Sequence, residues 1–371
     1  VNGSFRKRGD NWSYIVDLGP DPSTGKRRQK EKGGFRTKKE AQAAAAELIV
    51  QIENSEYKKP VKQSLEKYLI DWLESKRIGL KKNTFSIYKH HIEHHIIPAI
   101  GKIELAKLTP AEISTLYAML ISEKHLSEGT VRDTHKVLTA ALGQALKWGM
   151  IIKNPASLVE KPKVNRKELS VWDAEQAKTF LAFAKKHQNY IAFLLALGTG
   201  MRQGEILGLR WKDVDLDAGI IRIVQTLSHD GKELSAGAKT KSGNRTISVD
   251  VELVKELRKQ KSRILMNRLK SEGMYTDHDL VIPTSKGTPI TPRNLSRSYY
   301  LLLERSEVPQ ITFHDLRHTH ATLLLTQGVH PKVVAERLGH ADMRTTLEIY
   351  SHVLPHMQKE AADKVGRLLF S

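Results

Sequence analysis

Three short stretches of this chain gather groups able to hold an anion and to move a proton. In Gly198-Thr199-Gly200-Met201-Arg202 a glycine turn delivers Arg202 to the start of a short helix, and Glu205 follows three residues on. Residues three apart share a helical face, so the carboxylate can hold the guanidinium. In His314-Asp315-Leu316-Arg317-His318, positions 314 and 317 share a face and aim an imidazole and a guanidinium at one place. Leu316, Leu323 and Leu324 occupy other positions and are expected to face the core, while His318 and His320 are read as lying outside the site. In the third stretch Pro331 opens a helix, Gly339 closes it within Leu338-Gly339-His340, and a further helix carries Tyr350. Guanidinium binds phosphate oxygens through paired N–H donors, imidazole transfers protons near neutral pH, and a tyrosine hydroxyl is a nucleophile once helped to ionise. The third stretch admits another reading. Helix, glycine turn and helix also describe a helix-turn-helix reader of DNA with Val333, Val334 and Leu338 as its core, and this segment alone does not choose between the two.

Other elements must position these groups. Trp12 to Leu18 alternates in the manner of a strand and breaks at Gly19-Pro20-Asp21-Pro22, with Lys26-Arg27-Arg28-Gln29-Lys30 as the return strand of a hairpin. Thr37 is placed to cap a helix that runs through Ile52. The sum is a small three-stranded sheet with one helix, whose strands present Arg6, Lys7, Arg8, Lys26, Arg27 and Arg28 as candidates for DNA contact. Residues 56–62 read as a linker. Leu65, Tyr68, Leu69, Trp72 and Leu73 then recur at helical spacing, and Ile87, Ile92 and Ile96 line a second helix that is expected to stop at Pro98. Ile113 to Leu120 make a third helix and Val131 to Trp148 a fourth, closing at Gly149. This is an all-α middle domain, with Lys81, Lys82 and Lys89 as its candidate DNA contacts. Residues 161–167 form a second linker. Beyond about 168 the pattern is mixed α+β and mainly helical, with Ile191 to Leu197 a buried helix and Ile220 to Gln225 and Thr246 to Val249 strands. The expected domains are therefore 1–56, 62–160 and 168–371.

One cluster outside this scheme could suggest a metal. His90 with His94, and His91 with His95, are i and i+4 pairs of a kind that bind zinc, yet no cysteine or third carboxylate closes a site. The reading is a polar, DNA-facing helix surface with no metal.

Composition narrows the chemistry. At 371 residues, 40% hydrophobic and 27% charged, the chain is expected to build two or three ordinary globular units. It has no cysteine, hence no disulfide, thiolate zinc cluster or cysteine nucleophile. No apolar run approaches the roughly 18 residues of a membrane helix, and Val1 to Arg6 show no signal-peptide stretch, so a cytoplasmic setting is expected. The formal charge is +19, spread as +5, +6 and +8 over residues 1–60, 61–165 and 166–371. Charge distributed in this way suits several domains that each neutralise phosphates along a duplex.

Taken in order, Arg202, Lys241, His314, Arg317, His340 and Tyr350 give the chain a resemblance to the tyrosine recombinases, specifically to the integrases of phages and conjugative elements. Leu338-Gly339-His340 and Ile349-Tyr350-Ser351-His352-Val353 are close to that family's strings, and residues 198–353 carry the motifs. The resemblance implies a DNA strand transferase with an arm-type DNA-binding domain, a core-site-binding domain and a catalytic domain. Arg202 and Arg317 would clamp the phosphate in the transition state, with Glu205 behind Arg202, and Tyr350 would form a 3′-phosphotyrosyl bond. His314 would assist the phenol, and His340 would donate a hydrogen bond to a phosphate oxygen. A lysine would protonate the leaving 5′-hydroxyl. Lys239 and Lys241 compete for that role, and the turn at Ser242-Gly243-Asn244 puts Lys241 at the tip. No cofactor is implied: there is no G-x-x-x-x-G-K-[ST] loop, and the arginines do the electrostatic work of a metal. The implied partners are double-stranded DNA at core-type and arm-type attachment sites, and a tetramer of the chain itself on two DNA sites with exchange of the tail Pro355 to Ser371. DNA-bending accessory proteins and excision factors complete the set; no membrane is involved, and the setting is the bacterial nucleoid. A type IB topoisomerase-like enzyme and a non-catalytic helix-turn-helix regulator are the alternatives.

Overall fold

A computed structural model describes residues 3–20, 27–53, 62–164, 170–236, 244–271, 273–340, 342–344, 346–347, 363 and 365–370. The chain divides into two compact units, Val1–Arg166 and Lys167–Ser371.

The first unit begins with an antiparallel sheet of β1 (Gly3–Arg8), β2 (Asn11–Pro20) and β3 (Arg27–Phe35), paired in that order. Phe5 lies opposite Tyr14 and Tyr14 opposite Lys32. Tyr14 and Val16, two residues apart, bury their side chains with Ala45 and Leu48 of α1 (Lys38–Glu53). The helix starts where the Thr37 hydroxyl accepts the Glu40 amide at 3.2 Å. Strand β2 runs past the break expected at Gly19, because Gly19 and Pro20 still pair with Arg28 and Arg27.

A second core in this unit is built by helices. In α2 (Leu65–Ser75), capped by Ser64, Leu65, Tyr68, Leu69, Trp72 and Leu73 are all buried, as their spacing requires. α3 (Lys82–His91) passes through a π-helical turn at Ile92–Ile96 into α4 (Ile97–Ile100). The helix therefore does not stop at Pro98. The His94 carbonyl, which an amide at position 98 would bond in an α-helix, accepts Lys124 Nζ at 3.0 Å instead. Ile92, Ile96 and Ile100 are buried but Ile87 is 53% exposed, against expectation. The histidine cluster also needs correction. Only His90 and His94 are exposed; His91 and His95 face inward, and His91 Nδ1 shares a hydrogen bond with Thr134 Oγ1 at 2.9 Å. α5 (Pro110–Ser122) opens on a Thr109–Glu112 capping box, and α6 (Glu128–Lys147) ends near Gly149 in the left-handed region.

The second unit starts with α7 (Ala174–Ala184), held by an Asp173–Gln176 capping box, then α8 (Tyr190–Thr199) and the short α9 (Gln203–Leu207). β4 (Val214–Asp215), β5 (Ile220–Ile223) and β8 (Arg245–Ser248) form one antiparallel sheet; β6 (Gln225–Leu227) and β7 (Leu234–Ala236) form another. The single strand expected over 220–225 is thus two, split at Val224, because its halves pair with different partners. α10 (Val251–Lys270), α11 (Pro292–Arg305), α12 (Asp315–Thr326) and α13 (Pro331–Leu338) follow. Phe180, Phe193 and Tyr299 are fully buried at the centre, with ring centroids 5.5–5.9 Å apart. A smaller core joins Ala321 and Leu325 of α12 to Val334 and Leu338 of α13. Leu324 packs against this core half-buried, as expected, whereas Leu325 takes the inward position expected of Leu323, and Val333 is 52% exposed instead of in the core.

Candidate catalytic site

Two glycines in the left-handed region set the local frame, Gly200 closing α8 and Gly339 closing α13, each with φ 68°. A Cβ on Gly200 would run into the side chains of Leu338 and His320, so only glycine allows this close approach. Arg202 stands two residues after the first turn, as the N-cap of α9. Its amide donates to Glu205 Oε2 at 2.9 Å and its Nη1 to Oε1 at 2.8 Å, the pairing that their spacing implies. Arg202 Nη2 also donates to the Gly339 carbonyl at 3.4 Å.

Arg317, in the first turn of α12, is only 2% exposed. It donates through Nη1 to the Gly200 carbonyl and through Nη2 to the Leu338 carbonyl, both at 2.7 Å. The guanidiniums of Arg202 and Arg317 are therefore held by neighbouring carbonyls and converge. Burial, with Arg202 beside it, pushes the Arg317 pKa down to about 9, which leaves it a cation at neutral pH.

His314 is the N-cap of α12 and reaches the surface of the site, its ring 5.0 Å from that of His318. Desolvation on its inner side, then His318 and Arg317, lower its pKa. His340 follows the Gly339 turn, with Nδ1 sharing a hydrogen bond with buried Thr346 Oγ1 at 2.8 Å. Burial and the charges of Arg317 and Arg202 push its pKa down to about 4. Four of the six catalytic candidates thus sit around one frame, with Glu205 behind Arg202. Lys241 and its competitor Lys239 lie outside the described residues, and so does Tyr350.

Of the DNA-contact candidates, Arg6, Lys7 and Arg8 are exposed on β1, and Arg8 pairs with Glu31 at 3.4 Å. Lys81, Lys82 and Lys89 are exposed around α3, Lys89 within 3.8 Å of Glu93. Lys26 and the side chains of Arg27 and Arg28 lie outside the described residues, though the backbones of Arg27 and Arg28 are in β3.

Two arginines of the frame were not anticipated. Arg245 bonds both oxygens of Glu205, and Arg337 donates to His320 Nε2 and to the Ser248 and Gly198 carbonyls. The signal for Arg245 was present in the strand pattern, since it shares a face with Ile247, which is buried. His320, read as outside the site, is a buried strut between α8 and Arg337.

Residues 170–357 match the phage integrase family, residues 4–52 an arm DNA-binding domain, and residues 64–121 a phage integrase N-terminal SAM-like domain. The ICEBs1 integrase of Bacillus subtilis (strain 168) is 31% identical, over 98% of this chain and 99% of its own. The tyrosine recombinase XerC-like protein of Caldanaerobacter subterraneus subsp. tengcongensis is 30% identical, over 98% of both. In fold the chain resembles the Tn1549 transposon integrase solved with circular intermediate DNA, with a TM-score of 0.67, 20% identity and coverage of 80% of this chain and 99% of that one. It also resembles the lambda integrase solved as a tetramer on a Holliday junction, with a TM-score of 0.60, 20% identity and 94% coverage of each. With a match over half its length and two relatives that align from end to end, the chain belongs to the phage integrase family and is a tyrosine-type site-specific DNA recombinase.

Proposed function

We propose that this recombinase integrates and excises its mobile element by using Tyr350 to break a DNA strand through a 3′-phosphotyrosyl intermediate. The observation that carries the reading is the convergence of Arg202 and Arg317 on neighbouring carbonyls at the Gly339 turn. In-line attack on a phosphodiester builds negative charge on the non-bridging oxygens, and two planar guanidiniums stabilise it where water is excluded. Each arginine has further N–H donors beyond those given to backbone. His314 assists ionisation of the phenol, and a neutral His340, its Nδ1 accepting the Thr346 hydroxyl, donates its single N–H at Nε2 to a phosphate oxygen. Lys241 protonates the leaving 5′-oxygen. The covalent bond conserves the energy of the broken one, so rejoining to a second strand needs no nucleotide.

The same reading assigns residues 1–56 to arm-type sites, 62–160 to core-type sites and 168–371 to catalysis. The domain matches at 4–52, 64–121 and 170–357 support it, as does the charge excess in every segment. Arg6, Lys7, Arg8, Lys26, Arg27 and Arg28 then meet the arm site, and Lys81, Lys82 and Lys89 the core site. The working form is a tetramer on two DNA sites with exchanged C-terminal tails, assisted by DNA-bending and excision factors at the bacterial nucleoid, by analogy with the lambda integrase tetramer on a Holliday junction.

The test is a duplex nicked near the exchange point, on which cleavage traps a denaturation-resistant protein–DNA adduct. Wild type is expected to form it, and Tyr350→Phe to bind the duplex with unchanged affinity and form none. An adduct in the phenylalanine variant removes Tyr350 from the nucleophile's role. Relaxation of supercoiled DNA by single protomers, without exchange between sites, would point instead to a topoisomerase-like activity.

A further inference from the structure

Glu205 is held by two arginines, and only Arg202 belongs to the proposed clamp. Arg245 opens β8, the strand that follows Lys241 in the chain, and its side chain is 6% exposed. An arginine on the inner face of a strand must find acceptors, and those of this one include both oxygens of Glu205 and a carbonyl at the end of α13. Nη1 donates to Glu205 Oε1 at 3.1 Å, Nη2 to Oε2 at 2.9 Å and Nε to the Arg337 carbonyl at 2.7 Å. Each Glu205 oxygen is shared with Arg202, Oε1 with its guanidinium and Oε2 with its amide. Both the side chain and the backbone of Arg202 therefore hang on atoms that Arg245 also grips. Burial by itself would favour the protonated acid at Glu205; the hydrogen bonds and charge of Arg245, then those of Arg202, overturn this and hold the carboxyl below its ordinary range.

A second connection runs through α13. The last carbonyls of a helix have no amide partner within it and carry the negative end of its dipole. Here three consecutive carbonyls are each taken by a different arginine: Arg337 by Arg245, Leu338 by Arg317 and Gly339 by Arg202. These are the residues that lead into His340.

We propose that Arg245 is a positioning residue for strand cleavage: it fixes Glu205 so that Arg202 is aimed at the scissile phosphate, and it ties β8 to the turn that carries His340. The proposal rests on the clamp reading given above. Arg245 itself touches no reacting atom.

The experiment measures single-turnover cleavage of the nicked duplex by the full chain, with DNA affinity and thermal unfolding alongside. The variants are Arg245→Met, Arg245→Lys, Arg202→Ala, Arg317→Ala and the double Arg202→Ala/Arg245→Met. Arg245→Met is expected to slow cleavage roughly 100-fold while DNA affinity changes by less than about threefold, and Arg245→Lys to recover part of the rate. The double variant should be no slower than Arg202→Ala alone, because a residue acting through another adds nothing once that one is gone. A methylphosphonate at the scissile position supplies a readout that mere loss of structure would not move. It removes one charged oxygen and with it the need for the guanidinium facing that oxygen. The diastereomer that restores Arg202→Ala should therefore also restore Arg245→Met, and the one that restores Arg317→Ala should not. If Arg245→Met unfolds, Glu205→Gln/Arg245→Met replaces it, since that pair leaves no buried carboxylate that has lost one of its two arginines. Additive losses in the double variant, or rescue without diastereomer preference, overturn the positioning role. An adduct formed by Tyr350→Phe would instead overturn the reading beneath it.

Discussion

His320 shows how much of the site depends on one protonation state. Its Nδ1 donates to the Leu197 carbonyl at 2.7 Å, which leaves Nε2 as the lone pair that accepts Arg337 Nε at 3.1 Å. A second proton has no place on this ring. Burial and the Arg337 charge push its pKa down to about 4, and His340 is pushed equally far by burial, Arg317 and Arg202. The unfolded chain takes up these protons near the ordinary value of 6.5, so it binds more protons than the folded chain between about 4 and 6.5. The stabilisation is full above that window and is lost as pH falls through it. The melting temperature of the full chain should accordingly drop between pH 7 and pH 5, and His320→Gln should flatten the slope by about one proton's linkage. A melting temperature indifferent to pH across the window would contradict the neutral imidazoles. At this scale the Arg202–Glu205 pair was legible because spacing along a helix fixes which side chains meet. The inward position of Arg245 could be read from the strand pattern but its pairing with Glu205 could not, because the two lie forty residues apart in the sequence and only the fold brings them together.

Among the elements, the α8 and α13 termini carry the frame, and Gly200 is where they touch. Gly200→Ala forces a Cβ into Leu338 and His320 on top of a left-handed backbone, while the Gly200 carbonyl must still hold Arg317. Gly328 has a similar backbone, φ 77°, but open space around its missing Cβ. Gly328→Ala should therefore cost only the left-handed penalty, about 1–2 kcal/mol, whereas Gly200→Ala costs more and also slows cleavage. Urea unfolding and adduct formation on the two variants would check this, and equal costs would mean that the collision at Gly200 relaxes freely. The competing readings of residues 331–350 part at this level too. Val333, required by the DNA-reader version as core, is exposed, and the end of α13 is occupied by arginines of the site. Pro98 carries a related lesson: proline predicts a stop, and a lysine from the turn after α5 supplies the lost donor.

For the whole molecule, the basic excess in every segment and the C-terminal tail bear on assembly. Among the described tail residues Val365, Leu368, Leu369 and Phe370 are exposed by 53–89%, while Met357 and Ala361 lie outside the described residues. Under the proposed tail exchange, a chain ending before Met357 should bind a single core site with nearly full affinity and lose most synapsis of two sites. Gel-shift assays for the single complex and for the paired complex measure the two steps, and unchanged recombination by the truncated chain would refute the exchange. No helix among the described residues is long and apolar enough to cross a membrane.

Local physics made much of this protein readable from its sequence. Alternation gave the N-terminal strands, the 3.6-residue period gave α2 and α6, and glycine in the left-handed region gave the ends of α8 and α13. The order of arginine, lysine, histidine, arginine, histidine and tyrosine carried the resemblance to the tyrosine recombinases and, through it, the expected chemistry. Tertiary structure alone decided which groups share a charge. That Glu205 serves two arginines, that three guanidiniums divide the carbonyls ending α13, and that His320 and Arg337 brace α8 all depend on contacts between distant segments. A buried polar group must find its partner wherever the fold puts one, and sequence spacing carries no record of that distance.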